Sequence, residues 1–168
     1  MSDDTSGVQD NVIWELRDEN GKVKRQGSAH NIITSYGDQV YADRGAGVSG
    51  MPAAPTGMKL GTGGTAVAKT GAGAALVTYL ANSQQAFDAS YPQGSTSGGR
   101  IVTYRVTYAA GKASSATAIT EAVIVNEALT DATSAVGATV ARVLLTGIGS
   151  KGASDTLTVT WTHTLTGQ

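Results

Sequence analysis

The chain has 168 residues, 12 basic and 13 acidic side chains and a formal net charge of −1. That balance leaves no electrostatic footprint for nucleic acid or an anionic membrane, so neither is expected as a partner. Apolar residues make up 40%, charged residues 15%, and 22 positions are glycine, roughly twice the usual glycine share of about 7%. Low hydrophobicity without high net charge is not the pattern of a disordered chain. With no cysteine, a disulfide scaffold, a thiolate zinc site and a cysteine nucleophile are excluded together, and assembly in a reducing cytoplasm is compatible with the composition. The opening Met1-Ser2-Asp3-Asp4-Thr5 is acidic and polar rather than basic then apolar, so no secretory signal is expected. No run approaches the ~18 consecutive apolar residues of a membrane span.

Residues 1–10 are polar and acidic and are expected to form a flexible N-terminal arm, ahead of a single domain over 11–168. From Asn11, Val12, Trp14 and Leu16 alternate with Ile13, Glu15 and Arg17, and Asp18-Glu19-Asn20-Gly21 supplies a turn before a returning strand over Lys22 to Gln26. Asn-Gly suits the positive φ values of a tight hairpin. From Asn31 the period changes. Ile33, Tyr36, Val40 and Tyr41 fall at helical spacing, Ser35 and Asp38 read as a short capping pair, and Gly45-Ala46-Gly47 is a stop after Arg44. Gly37 inside that helix costs roughly 1 kcal/mol relative to alanine. Gly45 to Pro55 reads as a loop, Met58-Lys59-Leu60 as a short strand, and Gly61 to Gly73 as a glycine-rich connection. Leu76 to Leu80 is expected to be a strand and Asn82 to Gly99 a long surface connection.

The last third alternates most clearly. Val102, Tyr104, Val106 and Tyr108 share one face, with Ile101, Thr103, Arg105 and Thr107 opposite. Ile119 to Asn126 and Val140 to Leu145 are β-branched runs, and Leu157, Val159, Trp161, His163 and Leu165 alternate with Thr156, Thr158, Thr160, Thr162, Thr164 and Thr166. A period of two sustained this long, broken by Gly, Ser and Asp turns, predicts a mainly β protein. The expected fold is an antiparallel β-sandwich, jelly-roll-like, with one short helix near the N-terminal third.

Candidate chemistry is sparse. Gly63-Gly64-Thr65-Ala66-Val67-Ala68-Lys69-Thr70 fits a phosphate-binding loop except that Ala68 stands where the glycine before lysine belongs. Gly71-Ala72-Gly73 then breaks the helix such a loop needs, and a flexible connection is the expected reading. His30 and His163 have no second histidine at ligand spacing, so no metal is expected and an inward His163 reads as a hydrogen-bonded core residue. No Asp-x-Asp-x-Asp-Gly run marks a calcium loop. Gly45 to Gly50 contains no Gly-x-Ser-x-Gly elbow, because position 51 is Met51. No enzymatic site and no cofactor are expected. Glu121 precedes an apolar run and shares a face with Val123 and Val125. It is read either as a strand-end carboxylate in water or as a buried one paired with Arg105 or Arg142. The threonine face is the most informative surface: it is flat, uncharged and β-branched, and reads either as a solvated outer face or as a partner interface over Thr158, Thr160, Thr162 and Thr164.

Asn31-Ile32-Ile33-Thr34, Gly37, Ala42-Asp43-Arg44 and Met58-Lys59-Leu60-Gly61-Thr62-Gly63 resemble the opening of small structural proteins of tailed bacteriophages. Ile119 to Asn126, Ala141-Arg142-Val143 and Lys151 to Trp161 recur in the same kind of protein, so that the resemblance spans most of residues 31–166. It implies a non-enzymatic virion protein, assembled in the host cytoplasm: a head decoration (cement) protein bound to the major capsid protein, or a head-fibre or tail-associated one. A homo-oligomer, such as a trimer, is a further expectation. The alternative is a receptor- or glycan-binding module of a tail or fibre, with Tyr79, Tyr91 and Trp14 on an exposed concave patch.

Overall fold

The computed structural model describes residues 9–95 and 101–164. Its strands are β1 (Gln9–Arg17), β2 (Val23–Ala29), β3 (Asn31–Ile33), β4 (Gly57–Gly61), β5 (Gln85–Ala86), β6 (Gln93–Gly94), β7 (Ile101–Tyr108), β8 (Glu121–Val125), β9 (Thr139–Leu144) and β10 (Thr156–Thr164). Helix α1 (Ser35–Ala46) lies between β3 and β4. Two antiparallel five-stranded sheets pack together, in the orders β2-β1-β10-β7-β6 (sheet 1) and β3-β9-β8-β4-β5 (sheet 2). The expected antiparallel β-sandwich with one helix in its N-terminal third is the observed architecture. Of the expected arm, residues 1–8 lie outside the described residues, whereas Gln9 and Asp10 are already paired in β1 with Thr164 and His163. Leu165 and Thr166 also lie outside them.

Sheet 1 is built by strict alternation. The inward side chains form cross-strand rows: Leu16, Leu157 and Tyr108; Trp14, Val159 and Val106; Val12, Trp161 and Tyr104. All nine are buried, and removing such side chains from water is what holds the sheet to its partner. The β1–β2 turn closes as the Asn-Gly pair predicts. Gly21 has φ +78°, and the Asp18 carboxylate accepts the backbone N–H groups of Asn20 and Lys22 at 2.9 and 3.0 Å.

Sheet 2 departs from alternation. Every residue of β4 and β8 is buried, because the sheet is covered on both faces. Met58, Leu60, Ala122, Ile124, Ala141 and Val143 face sheet 1 within the main core. Val123 and Val125 face the other way and pack with Leu76 beneath the connections that follow β4 and β8. The strand expected over Leu76 to Leu80 does not form; only Tyr79 makes a bridge, to Gly61. The segment is instead a strap whose amides turn toward side chains of the sheet below. The surface connection expected over 82–99 contains the short strands β5 and β6.

The helix is capped one residue before the expected Ser35, while Ile33, part of its hydrophobic spacing, lies outside it. Asn31 to Ile33 pair with Val143 to Ala141 as β3, since an edge position on sheet 2 satisfies their backbone. The cap is Thr34, not the Ser35–Asp38 pair: its Oγ1 accepts the N–H of Gly37 at 2.9 Å and donates to the carbonyl of Thr139 at 2.6 Å. Asp38 instead binds Lys69 at 2.5 Å. Gly37 is buried against β9, and a Cβ there would lie 2.0 Å from the Val140 carbonyl oxygen. The glycine that weakens the helix locally is what lets it seat on the sheet. Gly37→Ala therefore runs against helix propensity: the gain of about 1 kcal/mol is outweighed, and urea denaturation should show a net loss of about 1–3 kcal/mol.

Candidate interaction face

Glu121, Arg142 and His163, three of the residues that the sequence marks out, lie in two buried polar centres. The first is Glu121, fully buried with Arg142. Its Oε2 accepts Arg142 Nε at 3.0 Å and Nη2 at 2.8 Å. Its Oε1 accepts the N–H of Gly63 at 3.0 Å and of Thr78 at 2.7 Å, and Oε2 that of Val77 at 3.2 Å. Arg142 Nη1 donates onward to the Gly73 carbonyl at 3.2 Å. Of the two readings of Glu121, the buried pair with Arg142 is the observed one; Arg105 binds Asp88 instead, at 2.8 Å. The phosphate-loop echo is thereby explained. The first amide of that loop is bound to an internal carboxylate, Lys69 is bound to Asp38, and the 3-10 turn Gly71–Ala74 stands where a helix would have to start.

The second centre surrounds His163, which is inward and buried as the alternation implied. Its Nδ1 lies 2.7 Å from the Tyr41 hydroxyl, which is 2.8 Å from that of Tyr104, and its Nε2 lies 3.4 Å from Asn31 Nδ2. Burial pulls the imidazole pKa down to about 3, so the ring is neutral at ordinary pH. The hydrogen-bonded chain joins β10 and β7 of sheet 1 to α1. Among the described residues, no three His, Asp or Glu side chains converge as a metal set would.

Among the described residues, the outer face of sheet 1 is left open. Thr158, Thr160, Thr162 and Thr164 stand along β10, the middle strand, and are half-buried by their neighbours. Cross-strand pairing sets Thr158 between Glu15 and Thr107, Thr160 between Ile13 and Arg105, and Thr162 between Asn11 and Thr103. The rows continue onto β2 through Gln26 beside Glu15 and Ser28 beside Ile13. Ile13 is 51% exposed. A shallow groove of about 510 Å³ runs over it, lined also by Glu15, Gln26, Ser28, Thr158 and Thr160. The ionised groups on the face are bound within the chain: Glu15 to Arg17 at 2.6 Å, and Arg105 to Asp88 while lying 4.6 Å over the Tyr91 ring. The face is thus hydroxyl-rich and close to electrically neutral. Ile13, Gln26, Ser28, Thr103 and Thr107 are its members that sequence reading missed; the alternation of β1 and β7 marked several as outward, but only strand register brings them beside the threonines. Trp14, Tyr79 and Tyr91 do not share a patch. Trp14 is buried in the main core, Tyr79 packs over sheet 2, and Tyr91 lies under Arg105. Comparison with family models, with curated proteins and with solved structures finds no match.

Glu121→Gln leaves the Arg142 guanidinium buried without its counter-charge and should cost about 3–5 kcal/mol in urea denaturation. Hydrogen exchange should quicken at the amides of Gly63, Val77 and Thr78, and unchanged protection there contradicts the assignment. For His163, the folded pKa lies below the unfolded value near 6.5, so the unfolded chain binds more protons between the two. Stability from this group is complete above pH ~6.5 and declines as pH falls, approaching about 1.4 kcal/mol per unit. The lowered carboxyls of Asp131 and Asp155 contribute only toward the lower end of the window from pH ~6 to ~4 and do so in both chains, so His163→Gln should show a shallower decline than the parent.

Proposed function

We propose that this chain is a non-enzymatic structural protein of a virion, a capsid decoration (cement) protein that docks through the outer face of sheet 1 onto the major capsid protein. The observation that carries the proposal is the character of that face. It is a field of Thr158, Thr160, Thr162, Thr103 and Thr107 with a shallow groove over Ile13, with Ile13 and Ile101 exposed at 51% and 40%, and its charges are met by partners within the chain. Interface centres are depleted of free charge, because burying an ionised group without a partner is costly. Hydroxyls satisfied across an interface carry a much smaller desolvation penalty. The resemblance of the 31–166 motifs to small tailed-phage structural proteins supplies the setting. A protein that binds the assembled shell and not its separated subunits stabilises the shell by mass action, with no chemistry required. Self-association of the bound copies fits the same role.

The test is co-sedimentation of the purified chain with tail-less heads that lack it. The parent chain should pellet with heads and raise their melting temperature. Thr162→Lys, at the centre of the face, should weaken head binding by about tenfold or more while shifting the chain's own stability by less than about 0.5 kcal/mol. Recovery of the chain on isolated tails and not on heads overturns the head assignment. Full head binding by Thr162→Lys removes this face from the contact.

A further inference from the structure

Residues 18–22 join β1 to β2 through the chain's one Asn-Gly pair, Asn20-Gly21. Asp18 holds this turn closed. Its carboxylate accepts the backbone N–H groups of Asn20 and Lys22 at 2.9 and 3.0 Å. Its carbonyl accepts the N–H of Gly21 at 3.0 Å, and its own N–H donates to the Lys22 carbonyl at 2.9 Å. Arg17 adds a bond to the Gly21 carbonyl at 2.6 Å. Bonds of this kind between an aspartate and its local backbone give a polar loop an ordered shape. The Asn20 carboxamide stands outside the set: it is exposed and, among the described residues, has no hydrogen-bond partner. Gly21, with φ +78° and open space where a Cβ would stand, puts no side chain between its own nitrogen and that carboxamide. The other four asparagines differ. Asn11 and Asn31 lie in strands ahead of β-branched Val12 and Ile32. Asn126 is buried with its side-chain nitrogen bound to Tyr36 and Ala53, and Asn82 is bound at both side-chain ends, by Lys112 and by Gly111.

We propose that Asn20 is a site of spontaneous deamidation and that the Asp18 turn sets its rate. In the reaction the Gly21 nitrogen attacks Asn20 Cγ. The N–Cγ bond forms, the Cγ–Nδ2 bond breaks, and ammonia leaves with the proton that Gly21 gives up. Water then opens the cyclic succinimide at either of its carbonyls and leaves aspartate or isoaspartate, with nothing oxidised or reduced. The folded turn opposes the first step, because the attacking N–H is engaged with the Asp18 carbonyl and is freed only by local opening. Either product adds a carboxylate beside Asp18 and Glu19. Isoaspartate also lengthens the loop backbone by one methylene, so the Asn20 and Lys22 amides no longer both fit Asp18 Oδ1. The site goes beyond the docking role proposed above and does not depend on it.

The test is to hold the full chain for weeks at mildly alkaline pH and follow the proteolytic fragment containing residue 20 by mass spectrometry, beside a synthetic peptide of residues 17–23. Both should gain the mass of an amide-to-acid conversion, divided between aspartate and isoaspartate, with the folded chain several-fold slower than the peptide. The rate should climb with pH in each, since the attacking nitrogen must lose its proton. Asp18→Ala should bring the chain toward the peptide's rate while amide exchange over β10 stays that of the parent. Asp18→Asn, which keeps the acceptor oxygen, should stay near the parent, and the parent in concentrated urea should match the peptide. Asn20→Gln should lose the mass gain at this position, because its longer side chain closes a ring far more slowly. A folded chain still intact at residue 20 after the peptide has converted overturns the site. Equal rates in folded chain and peptide, or an Asp18→Ala chain no faster than the parent, overturn the control by the turn.

Discussion

A carboxylate and a guanidinium buried on the far side of sheet 2 decide how the rest of the chain is laid out. Glu121 and Arg142 sit on adjacent strands, each fully shielded from water, and the pair is stable only because its remaining hydrogen-bonding capacity is met. The strap after β4 meets it, with three backbone amides on the carboxylate and one carbonyl on the guanidinium. A segment with little regular structure of its own is thereby fixed to the sheet. Lys59 repeats the device one strand away, donating to Glu127 and to the Ala132 carbonyl at 2.8 Å each, and so tethers the connection after β8. With its inner face packed into the main core, sheet 2 is thereby covered on both sides. Among the described residues sheet 1 has no comparable cover, so the sandwich is asymmetric, with the buried Glu121–Arg142 pair and the partly exposed Lys59–Glu127 pair on the covered side.

That division explains which parts of the fold were legible in the sequence. Sheet 1 has one wet face and one dry face, so period-two alternation was written plainly into β1, β7 and β10, and the hairpin between β1 and β2 was announced by Asn20-Gly21. Sheet 2 is dry on both sides, and a doubly buried strand carries no alternation. Its strands could be found as apolar runs, but their facing could not be read. The strap was misread as a strand over Leu76 to Leu80 for the same reason: its apolar residues fill gaps over Val123 and Val125, a job with no period. Thr34 was missed as a helix cap because the helical spacing of Ile33 and Tyr36 runs across it, while β3 is held by tertiary pairing that no local pattern records.

The candidate face was half legible. Four threonines along β10 are visible as a column in any strand reading, and their half-burial follows from a central position in the sheet. Their neighbours Ile13, Ser28, Thr103 and Thr107 come from strands up to about 150 residues away in the chain, and register alone assembles them. The same limit applied to Glu121. A carboxylate beside a valine run announces a conflict with its surroundings, but the cation that resolves it could be chosen between Arg105 and Arg142 only once β8 and β9 were seen to be adjacent.

The unusual composition now has a physical origin on each side of the molecule. Where the strap crosses the buried pair, there is no room for side chains. A Cβ on Gly61 would fall 2.4 Å from the Thr78 carbonyl oxygen, and one on Gly63 would fall 2.5 Å from Glu121 Oε1. Much of the glycine content of this segment is therefore a demand of close approach, distinct from the flexibility that a glycine-rich stretch suggests at first sight. On the opposite side the scarcity of charge and the abundance of threonine describe a sheet surface that tolerates contact with another protein. The ionised groups there, Glu15, Arg17 and Arg105, are paired within the chain; unpaired lysine or glutamate would keep the face solvated and discourage association. Low charge, high glycine and high threonine are thus not one property but two: a tight internal wrap on sheet 2 and an uncommitted neutral face on sheet 1, with the first making the second the face that remains free.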